Sequence, residues 1–394
     1  MCREAKILLV VSALFTFASG LSGIFVDVFF WRETNNIIVI VIYNLIHFIV
    51  TPITFIAAGV IAKKKNGIWS LRIGLLTYAL FYALILFIGG RGIPYIYLLG
   101  GVFGMATGFY WLAFNTLCFD FTSVNNRDTF NGFRGSCTGV AAAISPIISA
   151  YIISRFTGFQ GYRIVFTITL FIFLSLVLVS VILRCESYGS KINFKKVFSS
   201  NGDGWKVIRK ATFALGFRDI IIGFLINILI VQTTGSEFSL GKLTLIASLL
   251  SSVSYILVQK VIKPPQRKLS INIGSIGAFL AVAGLMLNIE YKTLLIYIIM
   301  DAFFLPFFMI QMSSSTFNVI DEAHQENMRI EYLINKDIML NGGRAISAVI
   351  LIVLLSTFKN SSILKVYLII LGLAPVVSGY FLRKLTKVLE GKGL

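Results

Sequence analysis

Long apolar segments alternate with short polar ones along the whole chain of 394 residues. Each apolar segment has about the 20 residues that an α-helix needs to cross a bilayer. The first segment is long and shows no clear cleavage site, so we interpret it as a retained helix and not as a signal peptide. The pattern predicts an all-α membrane protein of about twelve transmembrane helices, near residues 7–30, 38–61, 72–90, 94–118, 134–155, 163–183, 207–231, 241–260, 271–289, 293–317, 339–358 and 365–382.

The two halves of the chain match each other at an offset of about 200 residues. The match pairs residues 23–28 with 223–228, and Lys63, Ser70 and Gly74 with Lys263, Ser270 and Gly274. We therefore expect two pseudo-symmetric six-helix bundles, at residues 1–184 and 207–394, joined by a basic cytoplasmic linker at 185–206. Two fused bundles with a site between them are typical of secondary transporters.

Charge supports the membrane assignment and predicts an orientation. Charged residues make up 13% of the chain, roughly half the usual share in a soluble protein. Of the 35 Lys and Arg residues, 26 fall on one set of alternate loops and 8 on the other, while Arg218 lies inside a predicted helix. Because cytoplasmic loops carry the excess of cations, we expect a multi-pass protein of the plasma membrane with both termini cytoplasmic. We therefore interpret the net charge of +18 as a sign of a protein in the lipid bilayer and not of one that binds nucleic acid.

The sequence gives no sign of a cofactor or of catalysis. The four cysteines, at positions 2, 118, 137 and 185, lack metal or disulfide spacing, and the chain has two His residues. We found no nucleophile–base set, phosphate loop or metal cluster. We therefore expect no cofactor, no metal and no enzymatic activity.

With its six plus six helices and basic central linker, the chain resembles the major facilitator superfamily. That family's second–third loop reads Gly-x-x-x-Asp-Arg-x-Gly-Arg-Arg; residues 59–67 keep the first Gly and the basic residues but place Lys63 at the Asp position. Its fifth-helix motif is Gly-rich and ends Gly-Pro-x-x-Gly-Gly; residues 139–150 keep Pro146, with Ser or Ala for each Gly. Residues 108–115 and 126–132 are also similar to bacterial members.

The resemblance implies a secondary active transporter that works by alternating access, with a small-molecule substrate, protons as coupling ion, no cofactor and a monomeric state. The paired placement of arginines at the cytoplasmic helix ends of the two halves separately predicts gate ion pairs, with Asp120, Asp128, Glu331 or Asp337 as acids. The alternative is ordinary positive-inside charge. The gate candidates are Lys63, Arg127, Arg134, Arg329 and Arg344.

One face of the first predicted helix is small or polar, and so is the matching face of the seventh. Such a face borders either a watery cavity or a closely packed helix. The two stripes are Ser12, Thr16, Ser19, Gly23 and Asp27, and Thr212, Gly216, Asp219, Gly223 and Asn227.

Three acids and one base lie inside predicted spans. Because each charge at membrane depth costs about 2.5–3.5 kcal/mol or more, we expect functional roles. An acid in a dry site can take up and release a proton near neutral pH, so Asp219 and Asp301, with Asp27 third, are proton-coupling candidates. Arg218 either binds an anionic substrate group or pairs with an acid such as Asp301. For Asp27, an interfacial pair with Arg32 is the alternative.

The remaining candidates are polar, aromatic or small residues within predicted spans. The proposed substrate contacts, besides Arg218, are Asn227, Tyr110, Trp111, Asn115, Gln311 and His47, and packing is the alternative for the aromatic residues and His47. Small residues allow close helix approach, so we assign helix packing to Gly100, Gly104, Gly108, Gly139 and Pro146.

The sequence therefore predicts a transporter, with proton-coupled export (antiport) of an amphipathic compound as the favoured activity. Proton-coupled uptake of a sugar or small anion, with Arg218 as ligand, is the alternative within this class. A lipid or glycolipid flippase and a non-transporting receptor or scaffold remain further alternatives.

Overall fold

The computed structural model of the protein describes residues 1–89, 93–122, 124–185, 189–199, 202–322, 328–358 and 362–385. Across these residues the regular structure is helical, and no β-strand occurs. Eleven helical segments of the described chain are long and apolar enough to cross a membrane. The predicted all-α, multi-pass architecture is therefore confirmed.

The first half of the chain forms six long helices. They are α1 (Arg3–Thr34), α2 (Ile37–Lys64), α3 (Gly67–Ile88), α4 (Ile96–Asp120), α5 (Val124–Arg155) and α6 (Gln160–Val181). The break between α1 and α2 is set locally, because Asn35 adopts the left-handed conformation and the Asn36 side chain accepts a hydrogen bond from the Ile38 amide at 3.0 Å.

The second half adds eight helices. They are the short α7 (Phe194–Phe198), α8 (Asp203–Ile220), α9 (Ile226–Thr234), α10 (Glu237–Val261), α11 (Arg267–Gly284), α12 (Tyr291–Glu322), α13 (Arg329–Thr357) and α14 (Ser362–Leu382). A π-helical turn, Ile221–Leu225, joins α8 and α9 into the seventh predicted span. The ninth predicted span corresponds to α11, which is less apolar because its 18 residues include Arg267 and Lys268.

The helices form two compact units. The first contains residues 1–192 and 236–245, and the second contains residues 193–235 and 246–394. Within the predicted linker, α7 belongs to the second unit and is bound to α13 through Asn335. The Asn335 side-chain amide donates to the carbonyls of Val197 and Ser199, and its oxygen accepts from the Trp205 indole at 2.8 Å.

Corresponding small residues hold corresponding helices together in the two units. In the first unit, Gly74 of α3 lies directly against the backbone of Tyr110 in α4. In the second unit, Gly274 of α11 lies in the same way against Phe308 of α12. These are the positions that match at an offset of 200 residues, so the sequence repeat corresponds to a repeated helix contact.

The helix pair α2–α4 depends on a row of glycines. Gly100, Gly104 and Gly108 lie against the α2 backbone at Tyr43, His47 and Thr51, where an added Cβ would overlap neighbouring atoms. Thr54 Oγ1 also donates to the Gly104 carbonyl at 3.2 Å. The close approach is therefore possible because these positions have no side chain.

We predict that Gly104→Leu lowers the free energy of unfolding by about 1–3 kcal/mol, because the larger side chain overpacks the contact with α2. The matched control is Gly101→Leu, since a Cβ at Gly101 meets no atom within 4 Å. Thermal unfolding in detergent should show a lower midpoint for the first variant alone. Equal midpoints for the two variants would contradict this account of the contact.

Candidate functional site

The first unit contains a buried acid with a neutral partner. Asp27 of α1 is 7% exposed, and its Oδ1 accepts a hydrogen bond from Asn44 Nδ2 of α2 at 3.0 Å. The hydroxyl groups of Tyr43 and Tyr82 lie close enough to interact electrostatically with this carboxyl group. Within the described part of the chain, no cationic side chain forms a salt bridge with Asp27.

The alternative that paired Asp27 with Arg32 is wrong. Both residues belong to one continuous helix, and five positions turn their side chains about 140° apart. Arg32 Nε instead donates to Glu237 Oε1 at 2.8 Å, and the Tyr162 hydroxyl donates to the same oxygen at 2.8 Å. Asp27 therefore belongs to a separate, neutral environment.

An aromatic cluster surrounds Phe15, which lies nearer the start of α1 than Asp27 does. The Tyr110 ring is buried and stacks on Phe15, with their centroids 3.5 Å apart, so its face is already covered. Trp111 remains 37% exposed and meets the edge of Phe15. His47 is buried and lies edge-to-face with Phe103 at 4.7 Å. Of the proposed aromatic contacts, Trp111 is thus the one that has an open surface.

The second unit contains a buried ion pair. Arg218 of α8 is 1% exposed, and its Nη2 donates to Asp301 Oδ1 of α12. Tyr297, one helical turn before Asp301, is near enough to interact electrostatically with both charges. Its hydroxyl has no hydrogen-bond partner among the described residues. The predicted alternative, in which Arg218 pairs with Asp301, is therefore the arrangement observed.

A second, more open ion pair lies next to the first along α8. Two nitrogens of the Arg344 guanidinium donate to the same oxygen, Asp219 Oδ2: Nε at 3.0 Å and Nη2 at 2.5 Å. Arg344 Nη1 also donates to Asn341 Oδ1 at 3.1 Å. The Arg344 and Asp219 side chains are 22% and 30% exposed.

The predicted position of Arg344 at a helix end is wrong, although Asp337 of the same helix still interacts electrostatically with it. We predicted that the eleventh span begins near residue 339, whereas α13 begins at Arg329. Arg344 therefore lies 15 residues, or about 22 Å, along the helix. At that position it reaches Asp219.

The other gate candidates occupy varied environments. Lys63 is buried at the end of α2, and its carbonyl accepts from the Ser190 amide at 3.1 Å. The Arg134 guanidinium lies 4.6 Å from the centre of the Phe114 ring, an interaction of a cation with an aromatic face. Arg329 is half-buried at the start of α13. The side chain of Arg127 lies outside the described residues.

The polar stripes border both a packed helix and open space. In α8, Gly216 lies against the Leu340 backbone of α13, so this part of the stripe is a packing contact. A Cβ added at Gly23 of α1 or at Gly223 in the π-helical turn would meet no atom within 4 Å, so these two positions face open space. Half-buried Asn227, one turn later, donates to the Gly223 carbonyl at 3.3 Å.

The remaining candidates lie in helix contacts or on half-buried faces. Gln311 is buried and its amide lies 3.5 Å from the Ser270 hydroxyl, which bonds the Phe307 carbonyl at 2.8 Å. Buried Pro146 of α5 lies near Gly20 of α1 and Gly241 of α10. Gly139 of α5 and Asn115 of α4 are both half-buried.

Three partners of the charged groups were not among our candidates. Asn44, Asn341 and Tyr297 are polar groups within otherwise apolar helices. Because a polar side chain in a membrane helix usually bonds to another helix, its presence in an apolar segment is the signal that identifies such residues.

The sequence model of the Major Facilitator Superfamily matches residues 7–329, and the chain belongs to this family. It is a multi-pass membrane transporter. YqgE of Bacillus subtilis (strain 168), an uncharacterized protein, is 33% identical over 379 residues, which cover 95% of this chain and 88% of YqgE.

Solved structures of this family share the fold of the chain at low sequence identity. The nucleoside transporter NupG is 14% identical with a TM-score of 0.70, covering 97% of this chain and 99% of NupG. The Escherichia coli fucose:proton symporter FucP is 14% identical with a TM-score of 0.66, with the same coverage. At this identity the likeness concerns the fold alone.

We predict that Arg218→Gln lowers the free energy of unfolding by about 3–5 kcal/mol, because it leaves Asp301 buried without its cation. The double variant Arg218→Gln/Asp301→Asn should recover much of this loss, since it removes both charges. Thermal unfolding of the single and double variants measures the coupling. Strictly additive losses would show that the two side chains do not stabilise each other.

Proposed function

We propose that this transporter couples substrate movement to protons, and that Asp27 is the group that binds the proton. The observation that carries the proposal is the contrast between Asp27 and the two acids that contact arginines, Asp219 and Asp301. Asp301 and Asp219 each contact an arginine, whereas Asp27 contacts the neutral amide of Asn44. This contrast reverses the order that we expected from the sequence.

The physical basis is the cost of an uncompensated charge away from water. A buried carboxylate is stable as an anion when a cation and hydrogen bonds compensate it, as at Asp301 and Asp219. The carboxyl group of Asp27 has one amide donor and, among the residues that the structure describes, no cation paired with it. Its negative charge is therefore poorly compensated, and binding a proton makes the group neutral. Rehydration during the transport cycle would favour release of that proton, and alternating exposure of this kind is what coupling requires.

Export of an amphipathic compound in exchange for protons is the activity we favour. Trp111, with its partly open ring beside Phe15, supports an apolar or planar substrate. The occupation of Arg218 by Asp301 argues against Arg218 as the ligand of a small anion. Asp27 would then exchange its proton for the substrate during each cycle.

Proton-coupled uptake of a polar solute is the second candidate. It is supported by the partly exposed pair of Asp219 and Arg344, which buried Asn341 adjoins, because these donors and acceptors suit a hydroxylated molecule. FucP is a fucose:proton symporter with a similar fold, although fold similarity does not establish the same substrate or direction.

We predict that Asp27→Asn abolishes substrate-driven proton movement while substrate exchange without a proton gradient continues. The purified protein would be placed in vesicles with an internal pH-sensitive dye and tested with amphipathic dyes, sugars and nucleosides. Asparagine keeps the size and hydrogen-bonding capacity of Asp27 but cannot carry the proton. The direction of the pH change relative to substrate movement distinguishes export by antiport from uptake by symport.

The matched control is Glu290→Gln, which removes an exposed carboxylate beyond the end of α11. It should leave the coupled proton signal unchanged. Proton movement at the wild-type rate in Asp27→Asn would refute the role of Asp27. Loss of both exchange and proton movement would indicate instead that Asp27 serves substrate binding or structure.

A further inference from the structure

A groove in the second unit combines an apolar wall with a basic end. It lies between α8, α13 and α14 and has a volume of about 820 Å³. We call it the α8–α14 groove, and its main side chains are Arg209, Lys210, Phe213, Phe217, Leu373 and Val377. It forms no part of the two ion pairs described above, so it requires a separate explanation.

The apolar wall runs along the direction of the membrane helices. Lys206, Lys210, Phe213 and Phe217 follow helical spacing on one face of α8 and extend over about 16 Å. On α14, the side chains of Leu373 and Val377 are 44% and 45% exposed. In a transmembrane helix such open apolar side chains meet hydrocarbon.

The basic end is formed where the start of α8 meets the end of α14. Lys210 Nζ lies 5.6 Å and Lys384 Nζ 5.8 Å from the centre of the same Phe381 ring. The Nε of Arg209 is buried and makes no hydrogen bond within the described chain. Asp203 neutralises Lys206 through a contact of 2.9 Å. Three cations therefore gather at one end of the groove.

We propose that the α8–α14 groove binds an anionic phospholipid, with the phosphate at Arg209 and Lys210 and an acyl chain along Phe213, Phe217, Leu373 and Val377. The division into one charged end and one apolar wall matches the two parts of such a lipid. Basic pockets between membrane helices bind anionic head groups, and long basic side chains reach the interface from helix ends. The proposal does not depend on the proposed proton coupling.

Native mass spectrometry of the detergent-purified protein tests the lipid directly. The protein is titrated with phosphatidylglycerol and, separately, with phosphatidylcholine of the same acyl chains. We expect preferential binding of phosphatidylglycerol. In Arg209→Gln/Lys210→Gln the affinity for phosphatidylglycerol should fall roughly 10- to 30-fold, the effect of removing two cations near an anionic group. Equal binding of the two lipids by the wild-type protein would overturn the proposal.

Two further variants separate the groove from general surface charge. Lys260→Gln/Lys263→Gln removes the same charge from exposed positions outside the groove and should leave the preference unchanged. Val377→Trp fills the apolar wall without changing charge and should weaken phosphatidylglycerol binding. A loss in the control equal to that in Arg209→Gln/Lys210→Gln, or normal binding by Val377→Trp, would contradict a lipid seated in the groove. Unchanged thermal midpoints establish that each variant is folded.

Discussion

The cost of placing charge inside a bilayer is the constraint on which the arrangement of this protein depends. Its membrane helices contain few ionised groups, and the structure compensates them in different ways. Arg218 with Asp301 and Arg344 with Asp219 form ion pairs within the second unit, whereas Asp27 in the first unit has a neutral amide as its partner. The proposed division of labour follows from this difference: paired charges hold helices together, and an unpaired acid binds a proton.

Close helix contacts hold each unit together, and one of them lies beside an ion pair. Glycines at Gly74 and Gly274 bring corresponding helix pairs together in the two units, and Gly216 does the same for α8 and α13. The last contact places α8 beside the helix that carries Arg344. The close approach at Gly216 thus helps to bring Arg344 within hydrogen-bond distance of Asp219.

Much of the fold could be predicted from the sequence, because membrane helices have to be long and apolar and a repeat is visible in the residues themselves. The charges within the spans were also identifiable, since so few occur there. Their partners were harder to predict. Arg344 was assigned to a helix end because the polar residues before position 339 concealed the first ten residues of α13. Its true partner depends on that helical register, which hydropathy does not show.

The protonation state of Asp27 is the property that tests the account most directly. Infrared difference spectra of the reconstituted protein, recorded between neutral and alkaline pH, report the carbonyl stretch of a protonated carboxyl group. The account predicts a protonated-carboxyl band at neutral pH that disappears in Asp27→Asn and persists in Asp301→Asn. A spectrum in which Asp27→Asn leaves that band unchanged would show that Asp27 is already ionised, and would contradict its role as the proton-binding group.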